Sequence, residues 1–504
     1  MLPLIVALLV GGMTPDSASC ASLTSRSRPH ATVTAAQAVP SGAFTPPDGA
    51  PLPSLPAFCR VSMTLTPSSD SDIKVEIWLP TAGWNGKFQA VGNGGFGGSI
   101  NYGDLAAGIA HGYATASTDT GHADHTGAFA FGHPEKVVDY AWRSEHEMTV
   151  AAKTIIEAFY GSAPRLSYWN GCSAGGKQAL KEAQRFPADF DGIVAGSPAL
   201  DWTGRAIQSL WVAQALHRDE ASYIPPAKYP AMHKAVVDQC DALDGVRDGV
   251  LEDPTRCAFD PAVLTCKGPD AVTCLTPPQV EAARKVYAGP VNPRTHEQIF
   301  PGLEPGSEFN WQNLGGPEPL VAGFDHLRYI VFKNPAWDYH TLNFDSDVAR
   351  VRAADNGTID AKDPNLAPFF NRGGKLIQYH GWSDQQIASL SSVHYYDDVL
   401  RTLGGATRTY ASYRLFMVPG MGHCRGGDGP NTFDMLGALE RWVEQGQAPD
   451  AVVASKIEKG VVVRTRPLCP YPQVAVYTGT GSTDEAASFA CRVPPQPGPS
   501  APAR

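Results

Sequence analysis

The segment Leu166-Ser-Tyr-Trp-Asn-Gly-Cys-Ser-Ala-Gly-Gly-Lys-Gln-Ala-Leu-Lys-Glu-Ala-Gln-Arg-Phe186 contains the strongest structural signal in this chain. Leu166 to Trp169 has the character of a strand, and Lys177 to Phe186 has a helical pattern. Between them, Gly171 to Gly175 is a G-x-S-x-G motif, in which small residues permit a tight strand-to-helix turn. This context predicts that Ser173 is a nucleophile presented at the carboxyl edge of a sheet.

Strand-like stretches alternate with helical patterns such as Ser144 to Phe159, which is typical of βαβ units. The predicted strands are Val75 to Leu79, Phe88 to Val91, Tyr113 to Ser117, Leu166 to Trp169, Gly192 to Ala195, Leu376 to Tyr379 and Tyr413 to Val418. Such units form a mostly parallel sheet that is covered on both faces. Together with the nucleophile turn, they predict the α/β class and an α/β-hydrolase fold.

The alternation breaks between roughly Thr203 and Arg372, where Gly, Pro, Asp, Asn and four cysteines are frequent. We interpret residues 203–372 as a large inserted lid domain, which leaves a discontinuous catalytic domain of residues 59–202 and 373–492. Residues 20–58 are of low complexity, rich in Ser, Ala, Thr and Pro, and residues 493–504 are Pro-rich. Both segments are expected to be poorly ordered.

The composition and the N-terminal residues indicate which partners the protein can bind and in which compartment it is located. A net charge of −10 over 504 residues argues against a nucleic-acid partner. The apolar run Met1 to Val10 and the small residues near Ser17 predict a signal peptide over residues 1–19, too short to anchor the chain in a membrane. Ten cysteines suit disulfides in an oxidising compartment, although their pairing is open at this point. We therefore expect a secreted or periplasmic protein without a membrane partner.

A serine hydroxyl is a weak nucleophile and needs a base to accept its proton. In this fold the acid and then the histidine follow the serine along the chain. His423 lies in a glycine-rich loop directly after a predicted strand, the alternative being an ordinary surface-loop histidine. Asp384 ends another predicted strand in a turn with one carboxylate, and it would orient the imidazole. Two rival acids in the next predicted helix are Asp397 and Asp398.

Backbone N–H groups are expected to stabilise the oxyanion of the reaction. One donor would be Ala174, directly after the nucleophile, and the other would come from the Gly94-Gly95 pair, with Gly95 preferred. The surrounding Gly92 to Gly98 loop also contains G-x-G elements. It lacks the helix and the acidic residue of a dinucleotide site, which makes a nucleotide cofactor a poor interpretation.

Three carboxylates, those of Asp241, Asp244 and Asp248, lie within eight residues that are interrupted by glycines. Hard oxygen ligands at this density suit Ca²⁺, although the spacing is not that of an EF-hand. The alternative is a solvated acidic turn.

The stretch from Cys59 to Cys491 resembles the tannase and feruloyl esterase family, which includes mono(2-hydroxyethyl) terephthalate hydrolases. The resemblance rests on Cys172-Ser173 at the turn, His423-Cys424 at the histidine loop and the calcium loop. It implies a structural Ca²⁺ held by Asp241, Asp244, the carbonyl of Val246, Asp248 and the carbonyl of Val250. It also implies five disulfides, namely Cys20 with Cys59, Cys172 with Cys424, Cys240 with Cys257, Cys266 with Cys274, and Cys469 with Cys491.

The expected function is that of a secreted serine esterase acting on small aromatic esters of the feruloyl or galloyl type, with terephthalate half-esters as the alternative. A peptidase on the same scaffold and a non-catalytic calcium-dependent binding module are further alternatives. Arg328 and Phe332, four residues apart, are candidate contacts for a carboxylate and a ring on one helix face. A structural ion pair of Arg328 is the competing interpretation. The sequence does not predict the oligomeric state.

Overall fold

The computed structural model describes residues 17–47 and 49–494. A nine-stranded sheet forms its centre, in the order β1-β4-β5-β7-β6-β8-β9-β10-β11. The strands are β1 (Ala31–Val39), β2 (Gly42–Phe44), β3 (Leu52–Leu55), β4 (Phe58–Leu65), β5 (Ile73–Pro80), β6 (Lys87–Val91), β7 (Ala114–Thr118), β8 (Leu166–Cys172), β9 (Gly192–Gly196), β10 (Lys375–Gly381), β11 (Tyr413–Val418), β12 (Val452–Glu458), β13 (Val461–Leu468), β14 (Val474–Tyr477) and β15 (Phe489–Arg492). Hairpins outside the central sheet are β2–β3, β12–β13 and β14–β15.

The prediction of a mostly parallel sheet is confirmed. Six neighbouring strands pair in parallel, in the sheet order β7, β6, β8, β9, β10 and β11. At the edge that contains β1, β4 and β5 the pairs are antiparallel, which makes the sheet mixed and still mostly parallel. The physical reason is connection length. Residues 66–72 are too few for the crossover that a parallel partner of β4 would require, so β5 returns antiparallel.

Helices cover both faces of the sheet, as the α/β prediction requires. They are α1 (Ser17–Ser22), α2 (Tyr102–Ala110), α3 (Pro134–Val138), α4 (Ser144–Tyr160), α5 (Ala174–Arg185), α6 (Trp202–Leu216), α7 (Tyr229–Cys240), α8 (Pro277–Ala288), α9 (Gln312–Gly315), α10 (Val321–Asp325), α11 (Asp347–Asp355), α12 (Ala367–Asn371), α13 (Leu390–Thr402), α14 (Ala406–Thr409) and α15 (Met435–Gln445). Two π-helices, Asp139–Arg143 and His326–Val331, continue α3 and α10. Short 3₁₀ turns are Leu23–Arg26, Gly127–Ala130, Glu220–Ser222, Pro226–Lys228, Asp241–Asp244, Pro254–Arg256, Pro261–Leu264, Glu308–Asn310, Tyr339–Thr341 and Ala486–Ser488.

Neighbouring residues of β8 show how the sheet is buried on both sides. Trp169 belongs to the cluster that packs against α4 and α5, whereas Tyr168 belongs to the cluster around Leu439 and Trp442 of α15. Successive side chains of a strand point to opposite faces, so a strand covered on both faces is apolar throughout. This packing places the carboxyl ends of β8, β10 and β11 at one edge of the sheet.

The expectation of a poorly ordered segment over residues 20–58 is wrong. β1 extends the central sheet by pairing with β4, and Cys20 and Leu23 are buried in the main core. The disulfide from Cys20 to Cys59 joins the segment to β4. Of the predicted signal peptide, residues 1–16 lie outside the described residues, as do residues 495–504 of the Pro-rich tail.

The chain between Gly196 and Lys375 contains helices α6 to α12 and turns, and none of its described residues forms a named strand. The predicted lid, residues 203–372, falls within this stretch, which we call the insert. Its central helix is α6, where 13 of 15 residues are buried. Across the described ranges of the chain, no helix is long and apolar enough to cross a membrane.

All five disulfides present in the structure have the pairing that the resemblance implies. Their Cα–Cα separations range from 4.9 Å for Cys266–Cys274 to 6.0 Å for Cys172–Cys424. The remaining three are Cys20–Cys59, Cys240–Cys257 and Cys469–Cys491.

Candidate active site

Ser173 occupies the tight turn between the end of β8 and the start of α5. Its φ of 65° and ψ of −121° are unusual for a residue with a side chain, and such strain is typical of functional turns. A Cβ atom at Gly171 would lie 2.7 Å from the carbonyl oxygen of Gly175, which explains the glycine at that position. The small residues of the motif therefore hold Ser173 at the carboxyl edge of the sheet, as the sequence predicts.

His423 and Asp384 meet Ser173 at this edge. His423 Nε2 lies 2.9 Å from Ser173 Oγ, and His423 Nδ1 lies 2.7 Å from Asp384 Oδ2. The loops after the neighbouring strands β10 and β11 carry the acid and the histidine. The rival acids are on α13, where Asp398 forms an exposed ion pair with Arg401.

The carboxylate of Asp384 is buried and fully hydrogen-bonded. Its Oδ1 accepts hydrogen bonds from the backbone N–H groups of Gln386 and Ile387, at 2.8 and 3.0 Å. Burial alone would raise the pKa of Asp384, but the charge of His423 and hydrogen bonds from His380 and His423 hold that pKa far below its usual range. Asp384 is therefore an ionised partner for the imidazole.

A second histidine, His380, also contacts Asp384 and was not a sequence-based candidate. His380 Nε2 lies 3.1 Å from Asp384 Oδ2 and 3.2 Å from the carbonyl oxygen of Ile387. Because a carbonyl only accepts, Nε2 carries a proton, and Nδ1 lies 2.7 Å from the Ser392 hydroxyl oxygen, within hydrogen-bonding distance. The sequence offers one indication of this contact, because His380 lies in β10, four residues before Asp384.

The loop after β6 packs directly against the nucleophile turn. The N–H of Gly175 donates to the carbonyl of Asn93 at 2.8 Å, and the Tyr140 hydroxyl donates to the carbonyl of Gly95 at 3.0 Å. Ala174 is the first residue of α5, where backbone N–H groups have no acceptor within the helix. The two predicted oxyanion donors, Gly95 and Ala174, thus belong to segments in contact, and their role stays a prediction.

A cleft of about 360 Å³ lies beside the loop after β6 that contains Gly94 and Gly95. Asn93 and Gly94 form one wall, and residues of the N-terminal segment, including Pro46 and Leu52, form another. The segment that was expected to be disordered therefore borders the active-site region.

Cys172 and Cys424 covalently join the two loops that carry Ser173 and His423. Each is the chain neighbour of a residue in the hydrogen-bonded line, and their Cα atoms are 6.0 Å apart. The bond spans a sequence separation of 252 residues and ties the histidine loop to the nucleophile turn.

The predicted calcium loop is held by its own carboxylates. Asp241 Oδ1 accepts from the N–H of Asp248 and of Gly249 at 3.3 and 3.1 Å, and Asp244 Oδ1 accepts from the N–H of Val246 at 2.8 Å. Asp248 Oδ1 accepts from the N–H of Val250 at 3.1 Å, and its other oxygen contacts Arg466.

The donor set of this loop fits a calcium ion, because three carboxylates and backbone carbonyls are hard oxygen ligands. A further carboxylate that sequence reasoning missed, Glu252, is buried next to Asp244 and Asp248, and its Oε2 accepts no hydrogen bond from the described residues. A second group with metal-ligating atoms, Cys266, Asp270 and Cys274, is no metal site because the two cysteines form a disulfide.

Arg328 and Phe332, the candidate substrate contacts, each have partners within the chain. Arg328 Nε lies 2.9 Å from Asp325 Oδ1, and Phe332 stacks on Trp337 at 4.7 Å. Arg328 belongs to the π-helix His326–Val331, Phe332 directly follows it, and their role as substrate contacts stays a prediction. The ion pair of Arg328 agrees with the structural interpretation.

Comparison with known proteins agrees with the fold. Residues 59–492 match the family described as tannase and feruloyl esterase. The chain belongs to the tannase and feruloyl esterase family. It is therefore a carboxylic ester hydrolase.

Relatives of the family align over nearly the whole chain. An uncharacterized esterase of Xanthomonas campestris pv. campestris is 41% identical, over 94% of this chain and 91% of that protein. A probable feruloyl esterase B-1 of Aspergillus oryzae is 36% identical, over 87% of this chain and 84% of that protein. The crystal structure of feruloyl esterase B from Aspergillus oryzae superposes with a TM-score of 0.89 at 34% identity, covering 94% of this chain and all of that one.

Proposed function

We propose that this family member is a secreted serine esterase that cleaves esters of small aromatic acids through an acyl-enzyme. The observation that carries the proposal is the hydrogen-bonded line from Ser173 Oγ through His423 to Asp384, with steps of 2.9 and 2.7 Å. Heavy-atom distances of about 2.6 to 3.2 Å are those required for proton transfer between a nucleophile and its base.

In the acylation step, His423 Nε2 takes the proton of the Ser173 hydroxyl as Oγ attacks the ester carbonyl carbon. Asp384 holds the imidazole in the required tautomer and stabilises the imidazolium that forms. The N–H groups of Gly95 and Ala174 donate to the oxyanion. The C–O bond to the alcohol then breaks, and His423 returns the proton to the departing oxygen. Water repeats the sequence on the acyl-enzyme and releases the acid.

The aromatic preference is supported by relatives that are named as feruloyl esterases, among them the probable feruloyl esterase B-1 that is 36% identical to this chain. The rings of Phe96, Tyr140 and Trp202 belong to the core, where they form one buried cluster with Ala174 at centroid distances of 5.4 Å for Phe96–Tyr140 and Phe96–Trp202.

A structural calcium ion is part of the proposal. The carboxylates of Asp241, Asp244 and Asp248 and the carbonyls of Val246 and Val250 would hold it. When bound, the ion supplies charge neutralisation and order to the loop and takes no part in ester cleavage. Because Asp248 also contacts Arg466 of β13, the ion would stabilise the junction of the insert with the C-terminal hairpin.

Secretion is supported by the apolar residues Met1 to Val10 and by the five disulfides, which suit an oxidising compartment.

The test is an ester panel combined with Ser173→Ala. We expect the wild type to cleave methyl hydroxycinnamates and gallates faster than long-chain aliphatic esters and anilides. Ser173→Ala should lose up to about 10⁶-fold in kcat and all labelling by a fluorophosphonate probe. Ser162→Ala, at an exposed serine, is the matched control. Retained activity in Ser173→Ala would refute the nucleophile, and faster cleavage of aliphatic esters would refute the substrate class.

A further inference from the structure

The loop after β6 begins with a buried residue, Asn93, that is hydrogen-bonded through both its backbone and its side chain. Its carbonyl accepts from the N–H of Gly175 at 2.8 Å. Its Nδ2 donates to the carbonyls of Ser99 and Thr118, at 2.9 and 2.8 Å. Its backbone N–H and its Oδ1 both contact the side chain of Gln178. The start of this loop is therefore attached to the helix that follows the nucleophile.

Gln178, in the second turn of α5, holds Asn93 through two hydrogen bonds. Gln178 Oε1 accepts from the N–H of Asn93 at 3.0 Å, and Gln178 Nε2 donates to Asn93 Oδ1 at 3.1 Å. Because a backbone N–H only donates, the atom that faces it is the amide oxygen, and this settles the orientation of the amide. Nε2 also donates to Glu145 Oε1 of α4. Gln178 therefore connects α4, α5 and the loop after β6.

A second hydrogen bond holds the same loop two residues further along. The Tyr140 hydroxyl donates to the carbonyl of Gly95 at 3.0 Å. Burial raises the pKa of Tyr140 well above its usual range, so the hydroxyl keeps its proton and donates. Lys177, the neighbour of Gln178 in α5, donates to the Tyr140 carbonyl at 3.3 Å. Since Ser173 directly precedes α5, this one helix positions the nucleophile and contacts both supports of the loop.

The two predicted oxyanion donors are backbone N–H groups beside these supports. No described residue accepts a hydrogen bond from the N–H of Gly95 or of Ala174. The Gly94 carbonyl accepts from the N–H of Gly97 at 2.9 Å, and in a planar trans peptide the N–H of Gly95 points the opposite way. A shift of the loop at Asn93 or at the Gly95 carbonyl would therefore move this N–H relative to the nucleophile.

We propose that Gln178 and Tyr140 are positioning residues that hold the N–H of Gly95 toward the oxyanion formed at Ser173. This inference rests on the proposed function, which assigns Gly95 to the oxyanion, and it adds the residues that orient the donor. Both side chains are only 1% exposed, so they act through the loop and not by touching the substrate. Preorganised donors stabilise an oxyanion because they need no rearrangement during the reaction. Loss of a support should therefore lower kcat and leave KM nearly unchanged.

The experiment compares the wild type with Tyr140→Phe and Gln178→Met, using a methyl hydroxycinnamate as substrate. Removing an oxyanion donor costs about 100- to 1,000-fold in kcat, so displacing one should cost about 10- to 100-fold. Affinity for an aryl trifluoromethyl ketone, which adds to Ser173 Oγ and forms an oxyanion, should fall by a similar factor. Affinity for the product acid should not change. The acidic limb of the pH–rate profile should stay in place, because His423 keeps its partners.

Gln184→Met and Tyr160→Phe are the matched controls, because each removes a comparable hydrogen bond away from the loop. Gln184 lies on the same helix and donates to the Ala361 carbonyl at 2.8 Å, and the Tyr160 hydroxyl donates to the Pro80 carbonyl at 2.7 Å. Both variants should keep kcat and the affinity for the ketone, whatever thermal stability they lose.

Unchanged affinity for the ketone in either folded variant would overturn the proposal and leave these side chains a role in packing only. Equal losses of affinity for the ketone and the product acid would overturn it as well. If Gln178→Met does not fold, Tyr140→Phe, which removes a single oxygen atom, decides the matter. Failure of the proposed function is recognised separately, because Ser173→Ala would then still cleave the ester.

Discussion

His380 and His423 donate hydrogen bonds to the same oxygen of Asp384, at 3.1 and 2.7 Å. The two imidazoles and the Ser392 hydroxyl extend the line from the nucleophile into the core behind β10. These contacts hold the Asp384 carboxylate toward His423, and we therefore propose that His380 is a positioning residue.

We expect His380→Phe to lower kcat/KM on the order of 100-fold, mostly in kcat, because small displacements of catalytic groups have effects of that size. With one donor fewer, Asp384 bears more negative charge toward His423, so the acidic limb of the pH–rate profile should move to higher pH. His380→Gln places an amide donor near the position of Nε2 and should recover much of the rate. A variant His380→Phe with lower thermal stability but an unchanged pH profile would mean that His380 only packs.

Breaking the disulfide between Cys172 and Cys424 should affect catalysis more than folding. Chain entropy for a loop of this length predicts a loss of up to about 5 kcal/mol in unfolding free energy. The double variant Cys172→Ala/Cys424→Ala should in addition lose activity under conditions where it remains folded, because the histidine loop is no longer tied to the nucleophile turn. The control is Cys266→Ala/Cys274→Ala, in the insert. Peptide mapping without reductant checks the bond itself, and free thiols at both positions in active protein would contradict it.

Calcium removal should destabilise the protein without changing the chemical step. An ion present at 100 times its dissociation constant contributes about 2.7 kcal/mol of stability, so chelation should lower Tm measurably. Asp241→Asn should abolish that dependence, whereas Asp238→Asn, at an exposed ion pair with Lys234, should keep it. Identical melting curves with chelator and with added calcium would argue against the site.

His233 links the insert to the histidine loop, with Nδ1 2.9 Å from Glu308 and Nε2 3.0 Å from Asp428. Burial alone would lower the pKa of His233, but hydrogen bonds and charges of Asp428 and Glu308 raise it to about 9. Because the pKa of His233 is higher in the folded protein than in the unfolded chain, protonated His233 stabilises the fold. This stabilisation is complete at pH values below the unfolded pKa near 6.5 and is lost as the pH rises through 9.

The ion pairs of His233 with Glu308 and Asp428 are expected to contribute about 1 to 3 kcal/mol to the free energy of unfolding. The lower figure allows for solvent around Asp428. His233→Gln should therefore lower Tm clearly at pH 6 and much less at pH 9.5. His340→Gln, at an exposed histidine beside Asp338, is the control. An equal effect of His233→Gln at both pH values would show that the bridge does not depend on charge.

Local sequence patterns were sufficient for the central strands and for the three residues of the candidate triad. The turn around Ser173 is predictable because only small residues fit next to the serine. Asp384 and His423 are predictable because each follows a predicted strand and because the acid and the histidine come after the serine in the chain. These signals come from residues that are close together in the chain, so they can be recognised in a single sequence. The five disulfides needed the resemblance, because spacing alone leaves pairing open.

Contacts between distant segments were decided only by the tertiary structure. The Ser- and Thr-rich N-terminal segment is ordered because β4 offers it an edge and Cys59 a bond, which its composition does not reveal. Arg328 pairs with Asp325 and Phe332 stacks on Trp337, and the four-residue spacing of Arg328 and Phe332 reveals neither partner. His380 contacts Asp384 because the backbone after Asp384 turns the Ile387 carbonyl toward the His380 ring. Each of these depends on which surfaces meet, and the sequence of one element does not contain the shape of the element that packs on it.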